Sequence, residues 1–179
     1  AWDKMKANPA APTASMLSIL DWEQAWRRDR GFPFTPSVSE VNALDAALDL
    51  YLEEGPENVW ARHDLTARAC RAGIQAMGLA LWPASEAIAS PTATVVRVPD
   101  GINDADWRLA ARDGFGVMLS SGRAETLGRV VRIGHMGPTA KPLYAVLAIT
   151  ALGGAARKLG VTVDGGAGVE AALAVIAAH

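Results

Sequence analysis

The sequence has one cysteine, few aromatic residues and no long apolar segment. Cys70 is the only thiol among the 179 residues, so no disulfide bond can form within the chain, and a reducing, cytoplasmic location is expected. No apolar run reaches the roughly 20 residues that a membrane-spanning helix needs. The first residues, Ala1 to Lys6, lack the pattern of a signal peptide. The sequence therefore predicts neither a membrane protein nor a disulfide-rich secreted protein.

Neither sign of charge dominates. The 17 basic and 19 acidic residues are interspersed and give a net charge of −2, so there is no basic patch for a nucleic acid or an anionic membrane. The three histidines, His63, His135 and His179, lie far apart and lack the spacing of zinc ligands. Small neutral or anionic metabolites are the partners that remain.

The first half of the chain shows a connector followed by two helices. Residues 7–14 are rich in proline, alanine and threonine, and residues 17–20 form an apolar stretch that suits a short strand. Apolar residues at helical intervals predict one helix from Ser37 to Gly55 and a second from Pro56 to Gly78. The chain has 179 residues, of which 50% are hydrophobic, so its length and composition both suit a globular protein with one main core.

The second half alternates strands and helices. Strands are predicted at residues 92–98, 117–119 and 129–134, because β-branched residues or period-two alternation mark these segments. Helices are predicted at residues 103–114, from a Thr139 cap to Gly160, and at residues 168–178. The Gly153-Gly154 pair predicts close packing in the middle of the Thr139 helix.

The most informative run extends from Ser120 to Gly137, and two of its arginines are placed where they could hold a small carboxylate. Arg123 occupies a loop next to Gly122, and Arg132 lies within the 129–134 strand, on the face opposite Val131 and Ile133. A guanidinium offers a permanently charged, planar fork of donors, which suits a carboxylate. The alternative is an ordinary exposed arginine on a strand.

Three ordered runs carry a family resemblance: Arg132 to Gly137, Phe32 to Glu40, and Asp49 to Glu57. Together they resemble the C-terminal half of class V, fold-type I aminotransferases, and the resemblance extends over nearly the whole chain. It implies an α/β fold of the α+β small-domain type, in which helices cover a small, mostly antiparallel sheet.

The resemblance also implies a domain organisation. Residues 1–36 are expected to form a connector and the end of a large domain, including an interface segment. Residues 37–179 are expected to form the C-terminal small domain with its long linking helix. No Gly-Pro-Asn-Lys-like turn occurs here, so the family's Schiff-base lysine and large domain are expected upstream of residue 1. The N-terminal half of the same enzyme is thus an expected partner, and no catalytic residue is assigned to this chain.

By resemblance, four residues bind substrate. Arg132 matches the arginine that holds the substrate carboxylate, and Arg123 matches a second arginine found in the branch that acts on free pyridoxamine and pyruvate. Phe34 and Thr35 match a segment that reaches the active site of a neighbouring subunit, which implies a homodimer with a shared site. The family also suggests a homotetramer.

His135 and Ser121 are expected to support this site without touching substrate. His135 lies three residues past Arg132, so strand alternation places its side chain on the opposite face from the Arg132 side chain. Ser121 lies two residues before Arg123 in the same run.

One departure from the family pattern concerns the coenzyme phosphate. Relatives that hold pyridoxal phosphate present tyrosine or histidine donors just before the threonine, where this sequence has Phe32, Pro33 and Phe34. A phosphate left without donors is destabilised by several kcal/mol in order of magnitude. The resemblance therefore implies no tightly bound cofactor, with pyridoxamine and pyridoxal as substrates.

The implied reaction is the conversion of pyridoxamine and pyruvate to pyridoxal and L-alanine, a step of vitamin B6 degradation. Two alternatives stay open. One is an aminotransferase of the alanine–glyoxylate or serine–pyruvate type with bound pyridoxal phosphate. The other is a non-catalytic module that has kept the fold.

Overall fold

The computed structural model describes residues 1–179, which divide into two compact units, Ala1–Glu53 and Glu54–His179. None of the helices combines the length and apolar character that crossing a bilayer requires. The helices are α1 (Trp2–Lys6), α2 (Ile19–Glu23), α3 (Val38–Glu54), α4 (Pro56–Ala76), α5 (Asp104–Phe115), α6 (Pro142–Lys158) and α7 (Gly165–Ala177). The strands are β1 (Ala93–Arg97), β2 (Ser120–Ser121) and β3 (Val130–Gly134).

The first unit contains a short helix where a strand was predicted. The Ser18 hydroxyl accepts a hydrogen bond from the Asp21 amide, so it caps α2 and gives the chain a helical course from Ile19 onward. The strand predicted at residues 17–20 is therefore wrong. The helix continues as a π-helical segment, Gln24–Asp29, which ends at Arg30 with a positive φ of 55°.

The predicted junction between the two long helices is confirmed. Gly55 separates α3 from α4 and adopts a φ of 87°, a conformation that glycine reaches without strain. Pro56 then occupies the first turn of α4, where its missing N–H costs nothing. No residue of α3 is buried, whereas α4 buries one face that includes Thr66, Cys70 and Ile74.

The three strands form one antiparallel sheet in the order β1-β3-β2, so β3 is the central strand. One face of the sheet is covered by helices, and the side chains of Val131 and Ile133 point into the resulting core. The 129–134 strand is thereby confirmed. The strand predicted at residues 117–119 is misplaced, because pairing with β3 begins only at Ser120.

Close helix contacts build the covered side. Gly73 of α4 and Gly168 of α7 face each other so closely that a Cβ on Gly73 would lie 2.8 Å from the Gly168 carbonyl oxygen and 2.5 Å from Ile149 Cδ1. The fully buried Trp107 of α5 donates its indole N–H to the Leu152 carbonyl of α6 at 3.0 Å. Contact is also close at the predicted Gly153-Gly154 pair.

The start of α6 corrects a further prediction. Thr139 does not cap this helix, because its hydroxyl donates to the Met136 carbonyl at 2.8 Å and so closes a preceding 3₁₀ turn. Lys141 precedes the helix instead, and Pro142 opens it. The final helix starts at Gly165, three residues earlier than predicted, because the Asp164 carboxylate caps it through the Ala167 amide.

Polar groups are also buried in the core. His135 is 2% exposed, and its Nε2 lies 3.0 Å from the Thr94 hydroxyl. Burial lowers the pKa of His135, so the imidazole stays neutral in the folded protein. Burial also raises the pKa of the Cys70 thiol to about 11, which keeps the thiol protonated and unreactive.

The first prediction concerns the Gly73–Gly168 contact. Gly73→Ala should lower the free energy of unfolding by about 1–3 kcal/mol, since the new methyl group meets a backbone oxygen that cannot move independently. Gly114→Ala is the matched control, because it lies on a helix with nothing within 4 Å of the added Cβ. Urea unfolding of both variants compares them. Equal stability of the two would contradict the packing described here.

The second prediction concerns pH. Because the folded protein keeps His135 neutral, the unfolded chain binds an extra proton below its ordinary pKa of about 6.5, and stability falls as the pH drops below that value. His135→Gln should remove the contribution of His135 to this pH dependence, which is at most about 1.4 kcal/mol of unfolding free energy per pH unit. The exposed His179, changed to Gln, is the control. Parallel stability profiles of wild type and His135→Gln between pH 7 and 5 would refute the prediction.

Candidate functional site

Arg132 lies in the middle of β3, on the face of the sheet opposite the core residues Val131 and Ile133. In the strand register it stands opposite Val95 of β1 on one side and Ser120 of β2 on the other. Val131 and Ile133 point to the covered side, as the alternation predicted. Arg132 is half-buried, so its guanidinium is partly shielded from water and still reachable.

The guanidinium of Arg132 is fixed on one edge. Its Nε donates to the Ser121 backbone carbonyl at 2.7 Å, and the guanidinium makes no ion pair with a carboxylate of the chain. The two terminal nitrogens remain available as a pair of parallel donors. This geometry suits a bidentate carboxylate.

Arg123 follows the end of β2 in a tightly built turn. Its amide donates to the Thr126 hydroxyl at 2.9 Å, and that hydroxyl donates to the Arg123 carbonyl at 2.7 Å. A Cβ on Gly122 would lie 2.0 Å from the Thr126 carbonyl oxygen, so only glycine fits there. The backbone of Arg123 is therefore held, whereas its side chain is exposed.

The other predicted site residues occupy different places. His135 lies on the helix-covered side of the sheet, where its side chain contacts Thr94 and faces away from Arg132. Phe34 and Thr35 belong to the first unit, where Phe34 lines a surface hollow with Phe32 and Pro33. The structure brings Ser121 into contact with Arg132, and Arg123 follows two residues later.

Neither a metal centre nor a suitably placed lysine accompanies these residues. No group of three or more histidine, cysteine, aspartate or glutamate side chains is arranged to hold a metal ion. Lys141 lies at the exposed start of α6, and Lys158 is exposed at its end. Lys6 pairs with Glu23 at 2.8 Å in the first unit.

Sequence reasoning missed Asp104. Asp104 is 8% exposed, and its carboxylate accepts a hydrogen bond from the Ser121 hydroxyl at 2.8 Å. It also pairs with Arg108, one turn further along α5, at 3.1 Å. The only sequence signal is an acidic residue directly after the Asn103 cap, and such residues are common there because they interact with the helix dipole.

Comparison with known proteins places these features in a family. No protein-family model matches the chain. Pyridoxamine–pyruvate transaminase of Mesorhizobium japonicum is 67% identical over 176 residues, which cover 98% of this chain and 45% of that protein. An uncharacterized aminotransferase of Methanocaldococcus jannaschii is 37% identical over 177 residues, with the same two coverages of 98% and 45%. The chain thus spans less than half the length of these curated relatives.

Solved structures agree with the sequence comparison. Pyridoxamine–pyruvate aminotransferase from Mesorhizobium loti matches with a TM-score of 0.93 and 67% identity, over 99% of this chain and 45% of that one. Ureidoglycine–glyoxylate aminotransferase from Bacillus subtilis matches with a TM-score of 0.80 and 28% identity, over 89% of this chain and 41% of that one. The resemblance and the fold class predicted from the sequence are confirmed. The chain corresponds to the C-terminal portion of these aminotransferases.

Proposed function

We propose that the protein transfers the amino group of pyridoxamine to pyruvate, which yields pyridoxal and L-alanine, and that this chain supplies the grip on the substrate carboxylate. The observation that carries the proposal is the geometry of Arg132. Its Nε is bound to the Ser121 carbonyl, its other donors lack a carboxylate partner in the chain, and its half-buried side chain lies on the face of the sheet opposite Val131 and Ile133. The 67% identity to a pyridoxamine–pyruvate transaminase supports the choice of substrates.

In this proposal Arg132 binds the carboxylate of pyruvate and of alanine through two parallel hydrogen bonds. Both compounds present the same carboxylate, so the arginine orients the reacting carbon in both directions of the reaction. Arg123 adds a second positive charge from the turn after β2. Its side chain is exposed, so solvent screens its contribution more strongly.

The chemical step is assigned to groups outside this chain. A lysine that the resemblance places upstream moves the proton between the two reacting carbons. In the proposed assembly, residues 37–179 form the small domain and residues 1–36 end the large one. Phe34 and Thr35 then reach the site of a neighbouring subunit in a dimer, and two dimers form a cytoplasmic tetramer.

The segment before Thr35 supports pyridoxamine as a substrate without phosphate. Phe32 and Phe34 present rings with no hydrogen-bond donor, and Pro33 lacks an amide N–H. Phe32 packs against Trp22, with ring centroids 6.0 Å apart. These residues do not fit a phosphate dianion, which needs donors.

Two other functions compete with this proposal. A conventional aminotransferase with bound pyridoxal phosphate is the first, since relatives at 32–36% identity are named serine–glyoxylate or alanine–glyoxylate aminotransferases. A non-catalytic module with the same fold is the second. Both alternatives are compatible with the observed fold, but neither predicts rapid turnover of free pyridoxamine.

The third prediction tests Arg132 in the complete enzyme. Arg132→Met should weaken the use of pyruvate and alanine by roughly tenfold to a hundredfold or more, because each charge-assisted hydrogen bond contributes about 1.5–3 kcal/mol. Arg123→Ala should cause a smaller loss in the same direction. Steady-state kinetics with pyruvate as the varied substrate measures both effects.

Arg112→Met is the matched control, because Arg112 is an exposed arginine of α5 whose partner is the neighbouring Asp113. It should leave the kinetics unchanged. An unchanged KM for pyruvate in Arg132→Met would refute the assignment of the carboxylate to Arg132.

The fourth prediction tests the phosphate. The complete enzyme should turn over pyridoxamine faster than pyridoxamine 5′-phosphate, because Phe32 and Phe34 offer the added dianion no donors. Phe34→His should narrow the difference by restoring one. Side-by-side initial rates with the two amines decide the matter, and equal or faster turnover of the phosphorylated amine in the wild type would favour the conventional aminotransferase.

A further inference from the structure

We infer that Ser121 and Asp104 are positioning residues for Arg132, and that they set the affinity of the site for the keto-acid carboxylate. The inference rests on the proposed function of Arg132. It assigns a role in substrate binding to a residue of α5, a helix on the other side of the sheet from the guanidinium.

Ser121 is held from two sides. Its backbone carbonyl accepts the hydrogen bond from Arg132 Nε at 2.7 Å, and its side-chain hydroxyl donates to Asp104 Oδ2 at 2.8 Å. β2 is only two residues long, so its pairing with β3 restrains Ser121 weakly. The bond to Asp104 supplies the restraint that so short a strand lacks.

Asp104 is itself a rigid anchor. Its carboxylate is buried, and Arg108 binds Oδ2 through both Nε and Nη2, at 3.2 and 3.1 Å. The helix that carries it is fixed by Trp107, which is fully buried and bonded to α6. A displacement of Ser121 therefore breaks a hydrogen bond to a group that does not follow it.

The consequence for Arg132 is orientational. A guanidinium on a free side chain samples many rotamers, and binding a carboxylate then costs side-chain entropy. Nε bound to a fixed carbonyl holds the plane of the guanidinium and leaves the two terminal nitrogens without a partner in the chain. Greater mobility of Ser121 therefore lowers the fraction of molecules in which the Arg132 guanidinium is oriented to bind a carboxylate.

The test uses Ser121→Ala and Asp104→Ala in the complete enzyme. Each should raise the KM for pyruvate by about three- to tenfold, the loss expected for one hydrogen bond, and leave the KM for pyridoxamine unchanged. Ser121→Thr keeps the hydroxyl and should stay near the wild-type value. Asp106→Ala is the matched control, since Asp106 lies in the same first turn of α5 but is exposed.

A double-mutant cycle separates positioning from general destabilisation. In the Arg132→Met background, Ser121→Ala should have no further effect on the use of pyruvate, because the group on which it acts is gone. Ser121→Ala also covers the case in which Asp104→Ala fails to fold, since Asp104 keeps its pair with Arg108 in that variant.

Two outcomes overturn the inference in distinguishable ways. If Arg132→Met raises the KM for pyruvate but Ser121→Ala does not, the positioning role fails and the proposed function stands. If Arg132→Met leaves that KM unchanged, the assignment of the carboxylate to Arg132 fails, and the role of Ser121 and Asp104 fails with it. Additive losses in the cycle would likewise exclude action through Arg132.

Discussion

The two faces of β3 govern both the core and the site. Val131 and Ile133 point beneath the helices, so Arg132 between them must point to the opposite face of the sheet. Because β3 pairs with β1 on one edge and with β2 on the other, both neighbouring strands fix its register. A slip by one residue would place the guanidinium beneath the helices and expose the two apolar side chains, a change opposed by several kcal/mol in order of magnitude. The hydrophobic core thereby determines where the arginine stands.

The covered face depends in turn on close helix packing. Small residues such as Gly73 and Gly168 let α4 and α7 approach until backbone meets backbone. Trp107 fills the space between α5 and α6 and ties the two helices by one hydrogen bond. The same α5 carries Asp104 into contact with Ser121, so helix packing and the site share a rigid element. A substrate group can therefore be oriented by residues that it never touches.

Features with local causes were predictable from the sequence. The junction at Gly55 and the faces of β3 follow from backbone preference and side-chain period, which a short window contains. Some errors have local causes that the patterns did not indicate, such as the Ser18 cap and the turn at Thr139, whereas others depend on distant partners. The apolar segment at residues 117–119 pairs with no strand, because pairing of this part of the chain with β3 begins only at Ser120. Asp104 had the pattern of an ordinary helix start, since its partner Ser121 lies 17 residues away.

Holding a carboxylate is a task that aminotransferases share, so Arg132 by itself does not distinguish one amino donor from another. That distinction must come from the groups around the donor ring and its substituents. In the proposed function, the segment from Phe32 to Thr35 makes this distinction within the chain, because the side chains of Phe32, Pro33 and Phe34 offer a phosphate no hydrogen-bond donor. Substrate choice thus divides between two places in the proposed enzyme. In the proposal, the strand arginine holds the carboxylate of pyruvate and alanine, and the aromatic segment, contributed to a neighbouring site, excludes the phosphate.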